Sequence, residues 1–331
     1  MKIAIDAMGG DNAPEEIVKG AILACRELGA EIILVGNEAR IGAILKNQSI
    51  SGLRLEVYNA TEVIEMDEHP AIAVKNKKDS SLVVANRLVK EGSASAVISA
   101  GNTGAAMSGS LLTLGRIKGI NRPAIASPMP TNTGVSVLID AGANADCDPH
   151  NLLQFALMGS IYAEQVFGIP KPRVGLLSIG EEETKGNKLT VEAHQLLKQS
   201  PINFIGNIEG RDVHRGECDV IVCDGFVGNV VLKISEGLAG ALFGQIKTAL
   251  RRNLITTTGA LLVKSAFQSL KGRMDYTEYG GAPLLGLNGI SMISHGRSNA
   301  KAIKNAVKTT IKAVNEDIVG KITASLIRQG E

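Results

Sequence analysis

The chain has 331 residues, of which 44% are hydrophobic, 21% are charged and 3% are aromatic, with no Trp. Its 35 basic and 33 acidic side chains give a formal net charge of +2, without the basic excess of a nucleic-acid-binding protein. Four cysteines without a CxxC pair and five scattered histidines without an HExxH motif predict reduced thiols, no metal and no cofactor.

The chain starts with the strand-like KIAID, without the charged start and apolar run of a secretory signal. It contains no continuous apolar run of the roughly 18 residues that a membrane-spanning helix needs. We therefore expect a cytoplasmic globular protein, with two lobes because roughly 150 residues is a common domain size.

Short apolar segments alternate with helical patterns along the chain. Predicted strands cover residues 3–6, 31–35, 53–58, 96–99, 135–140, 174–179, 202–205, 219–223 and 290–293. Predicted helices begin near Pro14 and cover residues 80–90, 103–114, 152–166, 190–199, 230–250 and 299–327. This alternation predicts crossover connections and a mostly parallel α/β sheet. No linker rich in Pro and Gly divides the chain, so several chain crossings are expected to join the lobes.

Four predicted strands end at an acidic or hydroxyl residue, which a turn rich in Gly and Asn follows. The turns read IDAMGGDNAP (5–14), SAGNTGA (99–105), IDAGAN (139–144) and DGFVGNV (224–230). Glycine lets backbone N–H groups approach a ligand, and a helix N-terminus favours an anion. Each turn alone is better explained as a tight connection between a strand and a helix. Because ligands bind beyond the carboxyl ends of parallel strands, four turns converging on one sheet edge predict a phosphate or carboxylate site.

The candidate site residues come from these turns and from two later segments. Predicted backbone and amide donors are Gly9, Gly10, Asn102, Thr103, Gly104, Gly228 and Asn229. Asp6 and Asp224 are expected to orient donors or to accept a proton. In LSIGEEETKGN (177–187), Lys185 is the candidate cation and Asn187 a further ligand, with a solvated lysine as the alternative. Lys233 and His295, the latter in SHGRSN (294–299), complete the set, although a lone histidine is more often structural.

Several catalytic motifs are missing from the sequence. It has no GxGxxG dinucleotide fingerprint, no GxxxxGK[ST] loop and no GxSxG elbow. No cysteine has the partner motif of a covalent nucleophile. The chemistry that remains is an anion-binding cleft in which the substrate anion itself attacks.

Eight motifs together resemble one known family. They are DAMGGDNAP at Asp6, ISAGNTGA at Ile98, LGRIKGINRPA at Leu114, DAGAN at Asp140, ETKGN at Glu183, FIGNIEGRD at Phe204, DGFVGNVVLK at Asp224 and YGGAPLLG at Tyr279. In this order, over almost the whole chain, they resemble the PlsX family of acyl-carrier-protein:phosphate acyltransferases. Two positions depart from the family pattern: Asn12 stands where His is frequent, and Arg297 where a small residue is common.

The resemblance implies a fold and an activity. The fold is a three-layer α/β/α architecture with two lobes around a cleft, similar to phosphotransacetylases and isocitrate-type dehydrogenases, usually as a homodimer. The activity is transfer of a fatty acyl group from acyl carrier protein to inorganic phosphate. The acyl phosphate product then serves a membrane glycerol-3-phosphate acyltransferase in phospholipid synthesis.

Residues 251–273 predict a peripheral amphipathic hairpin. Within 254–270, one helical face carries Val263, Ala266, Phe267 and Leu270, and the flanks carry Arg251, Arg252 and Arg273. Such a segment fits an anionic membrane surface, the acidic carrier protein or the partner in a homodimer.

Three other functions remain open from the sequence. A short-chain phosphotransacetylase using coenzyme A would share the anion site. A nicotinamide dehydrogenase on the isopropylmalate-type fold would need an acidic metal cluster, which the sequence does not indicate. A non-catalytic scaffold at the membrane surface would consume no thioester.

Overall fold

The computed structural model describes residues 1–267, 272 and 279–330. Its strands are β1 (Lys2–Asp6), β2 (Glu31–Gly36), β3 (Leu55–Asn59), β4 (Ala96–Ser99), β5 (Ala124–Thr131), β6 (Gly134–Ile139), β7 (Val174–Leu177), β8 (Phe204–Ile208), β9 (Val220–Val222), β10 (Ala282–Leu285) and β11 (Ile290–Ile293). Its helices are α1 (Glu15–Leu28), α2 (Glu38–Leu45), α3 (Pro70–Asn76), α4 (Ser81–Lys90), α5 (Thr103–Leu114), α6 (Pro149–Tyr162), α7 (Lys188–Lys198), α8 (Gly225–Leu250), α9 (Leu254–Leu262), α10 (Ala300–Asn315) and α11 (Ile318–Gly330).

These strands form one sheet in the order β3-β2-β1-β4-β11-β10-β5-β6-β9-β7-β8. The first five strands in this order are parallel, and so are the last four. Between them, β10 is antiparallel to both β11 and β5, and β5 is antiparallel to β6. The mostly parallel α/β sheet is therefore confirmed. The two parallel halves of the sheet, however, run in opposite directions.

The strands that reverse the sheet are the two that the sequence pattern missed. β5 contains Pro128 and Pro130, and β10 contains Pro283. Proline lacks an N–H for the ladder and within sheets is normally confined to edge strands, to the first residue of a strand or to bulges. β10 pairs only with Ala124 and Ile125 of β5, so both β5 prolines lie where this strand has β6 as its only neighbour.

Each half of the sheet has its own apolar core. In the first half, α1 packs on β1, β2 and α10, and a Cβ added at Gly20 of α1 would lie 2.5 Å from the Cβ of Ile303. In the second half, α6 and α7 pack on β6, β7 and β9 around the fully buried Phe155 and Tyr162. A third cluster joins side chains from both halves, among them Ala105 of α5 and Leu138 of β6.

Two helices differ from the prediction. The predicted helix 299–327 is two helices, because the chain turns at Asp317, which has φ of +47°. α8 begins at Gly225 and not at residue 230, and an 18-residue window of it has mean hydropathy 1.4 with 6% of its residues buried. By length and composition alone α8 meets the requirement for a membrane-spanning helix. The expectation that no segment does so was wrong, because the Leu, Ile, Val and Phe side chains of α8 give a high mean hydropathy although Lys233 and Glu236 interrupt the apolar run.

Candidate active site

Asp6, at the end of β1, organises the first predicted turn. It is 3% exposed, and its carboxylate accepts hydrogen bonds from the hydroxyls of Ser81 (2.6 Å) and Ser99 (2.7 Å). The backbone N–H groups of Met8 (3.2 Å) and Gly9 (3.1 Å) donate to it as well. Burial raises the pKa of Asp6, and these four donors oppose the increase. The side chain therefore orients the turn and ties β1 to β4 and α4.

The second turn packs directly on the first. A Cβ at Gly9 would lie 2.5 Å from Asp6 Oδ2 and 2.9 Å from the backbone nitrogen of Gly101, so only glycine fits there. Gly10 has φ of +112°, which other residues rarely adopt. Close approach of the two glycine turns leaves backbone, and not side chains, facing this end of the sheet.

Asn102 caps α5, and both polar atoms of its side chain already have hydrogen-bond partners. Its Oδ1 accepts the N–H of Ala105 (3.0 Å), and its Nδ2 donates to the carbonyls of Met66 (2.9 Å) and Glu68 (3.2 Å). The predicted donors that remain are the N–H groups of Thr103 and Gly104 in the first turn of α5, where no helical carbonyl can pair with them. Free N–H groups of this kind are the feature that lets helix N-termini bind anions.

Asp140, directly after β6, was quoted in a motif but was not predicted as a site residue. It is fully buried, and its carboxylate accepts the N–H groups of Ile125 (3.0 Å), Gly142 (3.1 Å), Ala143 (2.9 Å) and Asn144 (2.7 Å). The side-chain Nδ2 of Asn144 donates a fifth hydrogen bond (2.8 Å). Burial raises the pKa of Asp140. The signal that would have identified it is the sequence Asp-Ala before a glycine turn, which it shares with Asp6.

The start of α8 packs on the Asp140 turn. Asp224 caps this helix by accepting the N–H of Val227 (2.9 Å). A Cβ at Gly228 would overlap the carbonyl oxygen of Asp140, and the N–H of Gly228 is bonded to the Asp224 carbonyl (2.9 Å). Gly228 was predicted as a donor, but the structure gives it a packing role. Asn229 is exposed beside Gly142.

Charges from both halves of the sheet act on His295, which follows β11. Burial lowers the pKa of His295, and the ammonium of Lys233 on α8 lowers it further, whereas Glu236 and Asp11 raise it. Its Nδ1 accepts the N–H of Arg297 (3.1 Å). The imidazole is therefore neutral at pH 7 and lies between the first turn and α8.

The four turns form two groups and not the single sheet edge that was predicted. The Asp6 group includes the 294–299 loop, since the N–H of Asp11 donates to the Gly296 carbonyl (2.8 Å) and Asn12 Nδ2 to the Arg297 carbonyl (3.3 Å). The Asp140 group holds the start of α8. The physical reason is the reversal of strand direction at β10 and β5. The neutral His295 is influenced by charges from both groups, Asp11 of the first and Lys233 of α8.

Lys185 and Asn187 lie in a third place, the loop between β7 and α7. Both are exposed, and Asn187 caps α7 by accepting the N–H of Thr190 (2.9 Å). Ser178 donates to the Lys185 carbonyl (3.0 Å), while Glu183 of the same loop pairs with Lys198 (2.6 Å). The contacts that the structure gives this loop do not join it to the Asp6 or Asp140 turn.

The cysteines are not activated. Burial raises the pKa of Cys25 to about 11, that of Cys147 to about 12 and that of Cys218 to about 12. Burial also raises the pKa of Cys223 well above its ordinary value. Protonated thiols are poor nucleophiles and metal ligands. Across residues 1–267, 272 and 279–330, no three His, Cys, Asp or Glu side chains are grouped as a metal site.

A family model described as "Fatty acid synthesis protein" matches residues 1–321. The chain belongs to this family. It is 56% identical over 326 residues to the phosphate acyltransferase of Pelotomaculum thermopropionicum, covering 98% of this chain and 95% of that protein. It is 57% identical over 323 residues to the phosphate acyltransferase of Heliobacterium modesticaldum, covering 97% and 96%. The chain is thus an acyltransferase, and the resemblance to the PlsX family is confirmed.

Solved structures support the fold. A phosphotransacetylase from Streptococcus pyogenes aligns with a TM-score of 0.66 at 19% identity, covering 96% of this chain and 94% of that chain. The EutD phosphotransacetylase from Staphylococcus aureus aligns with a TM-score of 0.63 at 17% identity, with the same coverage. A 4-hydroxythreonine-4-phosphate dehydrogenase from Klebsiella pneumoniae aligns at 0.52 and 13% identity, covering 95% and 99%. The predicted similarity to phosphotransacetylases is confirmed at the level of fold.

Proposed function

We propose that this enzyme transfers a fatty acyl group from an acyl-carrier-protein thioester to inorganic phosphate. The observation that carries the proposal is the pair of glycine turns held by Asp6 and Asp140, which lie beside the starts of α5 and α8. The charge of Lys233 on α8 acts on His295, which follows β11. Helix N-termini bind anions through their free N–H groups. The relatives are named phosphate acyltransferases, which supports phosphate as the acceptor.

The reaction needs positioning more than base strength. A phosphate oxygen attacks the thioester carbonyl carbon, the C–S bond breaks, and the proton of hydrogen phosphate passes to the thiolate. Products are acyl phosphate and the free thiol. The enzyme holds phosphate against the thioester and stabilises the oxyanion. Because Nδ1 of the neutral His295 accepts the Arg297 N–H, its proton is on Nε2, which can donate a hydrogen bond to the bound phosphate. Asp6 is saturated by four donors and serves to position the turn.

The Lys185 and Asn229 assignments have a direct test. Acyl phosphate, trapped with hydroxylamine, is measured from carrier-protein thioester and phosphate with K185A and N229A. Losing one oxyanion donor typically lowers the rate about 10²–10³-fold, and we expect losses of this size. Lys188, whose side chain is 88% exposed, provides the control K188A, which should keep full turnover. Near wild-type rates in both test variants would refute these assignments.

We propose direct attack without an acyl-enzyme. Ser235 is the side chain to exclude, since its hydroxyl lies 2.9 Å from Nε2 of His214, whose Nδ1 lies 2.9 Å from the Pro130 carbonyl oxygen. A serine paired with an oriented histidine is the geometry of covalent catalysis. S235A, thiol alkylation and a chelator should each leave turnover intact. An acylated Ser or Cys found by mass spectrometry would contradict direct attack.

We propose a homodimer that uses α8. The helix presents apolar side chains at intervals of four residues, which are Phe226 (65% exposed), Val230 (41%), Ile234 (62%), Leu238 (58%) and Leu242 (50%). A stripe of this length is unfavourable in water. Replacing Leu238 and Leu242 by Asp should yield monomers in analytical ultracentrifugation, whereas an unchanged dimer would remove α8 from the interface.

We propose that α9 and the residues after it touch an anionic membrane, where a membrane glycerol-3-phosphate acyltransferase would use the acyl phosphate. Leu261 (68%), Leu262 (82%) and Val263 (42%) are exposed, and the exposed Arg251 and Arg252 precede them. Apolar side chains with basic flanks bind such surfaces. The predicted contributions of Leu270 and Arg273 lie outside the described residues.

Vesicle co-sedimentation tests the membrane contact. The wild-type protein should bind phosphatidylglycerol vesicles in a salt-sensitive way and phosphatidylcholine vesicles weakly. Replacing Leu261, Val263 and Phe267 by Ser should abolish binding while phosphate-dependent turnover in solution continues. A triple variant that instead becomes monomeric or unfolds would make the segment structural.

A further inference from the structure

A groove of about 540 Å³ lies beside the Asp140 turn. Met107 and Leu111 of α5 line one side, and Ala143 and Asn144 of the Asp140 turn line another. This volume is typical of small-molecule sites, which range over about 300–1,000 Å³. At about 1.5 Å per helical residue, Met107 is about 6 Å and Leu111 about 12 Å along α5 from Thr103. The groove thus follows α5 away from the candidate phosphate site.

Two arginines stand at this groove, both from the segment LGRIKGINRPA that joins α5 to β5. Arg116 and Arg122 line it and are exposed. Arg116 gives one N–H to the carbonyl of Asn121, and within the described chain neither guanidinium has a carboxylate partner. The carboxylate in the lining, Asp148, already accepts the N–H of Asn151 (3.0 Å). The lining therefore carries an excess positive charge with free donors.

A buried amide in the same lining lacks a partner. Asn151 is 1% exposed, and its Oδ1 accepts the N–H of Asp148 (3.0 Å). Its Nδ2 has no hydrogen-bond partner among the described residues. Buried polar groups in folded proteins are normally paired. An unpaired donor beside a groove is thus an independent indication that a ligand atom completes the site.

We propose that this groove binds the phosphate-bearing arm of the thioester donor, a phosphate ester joined to a chain of amide groups. The ester anion pairs with Arg116 and Arg122, an amide carbonyl accepts from Asn151, and methylene groups pack on Met107 and Leu111. An acyl chain would bury two guanidinium groups unpaired, which is unfavourable, and inorganic phosphate would leave most of the groove empty. The proposal rests on the proposed function and adds to it the place where the donor binds.

Binding of the isolated arm is the first measurement. Titration calorimetry compares 4′-phosphopantetheine, pantetheine and inorganic phosphate on the wild-type protein, R122Q, R116Q and the control K188Q. Charge-assisted hydrogen bonds predict that removing the phosphate ester weakens binding about tenfold or more. R122Q and R116Q should lose this difference and K188Q should keep it. Equal binding of phosphopantetheine and pantetheine to the wild-type protein would overturn the proposal.

Kinetics separate the groove from the reaction. In R122Q the KM for the carrier-protein thioester should rise about tenfold or more while kcat stays within about threefold. Asn151→Ser, with its melting temperature checked, should raise the same KM. Phosphate-dependent turnover with unchanged donor KM in all variants would refute the groove and leave the proposed function standing. Arginine-dependent binding of phosphopantetheine without any thioester turnover would refute the proposed function and leave the groove standing.

Discussion

The Asp6 and Asp140 turns differ in what holds their carboxylates. Asp6 accepts from two backbone N–H groups and two serine hydroxyls, whereas Asp140 accepts from five N–H hydrogens and no hydroxyl. A hydroxyl can rotate and become an acceptor, but an N–H cannot. The first turn can therefore adjust to a changed side chain, and the second, which also carries the start of α8, cannot.

The largest expected effect is in the packing of α8 on the second turn. Gly228→Ala would place a methyl group on the carbonyl oxygen of Asp140. The Asp140 backbone cannot move aside as a flexible side chain could, so the overlap is not relieved. We therefore expect a loss of about 3 kcal/mol or more in the free energy of unfolding. Chemical denaturation measures the change.

Gly244, further along the same helix, is the matched control. A Cβ there would meet nothing within 4 Å, so Gly244→Ala should stabilise the helix by about 0.5–1 kcal/mol. If the two variants were equally stable, the close approach of α8 to Asp140 would not be required.

Two matched variants compare the hydrogen-bond donors around Asp140 with those around Asp6. Asp140→Asn points an amide NH₂ at N–H groups and should cost about 3 kcal/mol in the free energy of unfolding. Asp6→Asn should cost about 1 kcal/mol, because Ser81 or Ser99 can rotate to accept from the new NH₂. Replacing Asp6 in a variant that lacks both hydroxyls should restore the larger cost. Equal losses for the two single variants would contradict the distinction.

The smallest effect is expected at His295, where the two halves meet. Lys233→Gln removes a cation that disfavours the imidazolium, so the pKa of His295 should rise toward its ordinary value. Burial, the larger cause, remains, and the ring stays neutral at pH 7. The exposed Lys233–Glu236 pair should contribute under about 0.5 kcal/mol to stability. An NMR pH titration of the imidazole measures this pKa. An unchanged midpoint in the variant would show that Lys233 does not influence the pKa of His295.

Most of the sheet was predictable because apolar β-branched segments with polar ends mark buried strands. Strands 96–99 and 290–293 and helix 103–114 have the predicted bounds. β5 and β10 were not predictable in this way, since their prolines are typical of turns. Missing them also hid the reversal of direction, and the predicted single sheet edge was wrong for that reason.

Side-chain roles depended on partners that only the fold supplies. Asn102 and Asn187 were predicted as ligands, yet each caps a helix with its side-chain oxygen. Asp140 was overlooked although its motif was noticed, because the sequence does not show that Ile125, 15 residues before it in β5, donates to its carboxylate. Glycine was the better signal, since only close backbone approach explains Gly9 and Gly228.

The order of strands has a consequence for how the protein is made. β4 pairs with β1 on one side and, on the other, with β11, where Ala96 lies opposite Ile290. Glu16 of α1 likewise accepts the N–H of Ala300. At a synthesis rate of about 5–20 residues per second, about 10–40 s pass between the synthesis of β4 and that of β11. During this time the edge of β4 is unpaired. A nascent chain with an open strand edge is prone to pairing with other chains. The N-terminal half of this enzyme is therefore exposed to aggregation until β11 has been synthesised and has paired with β4.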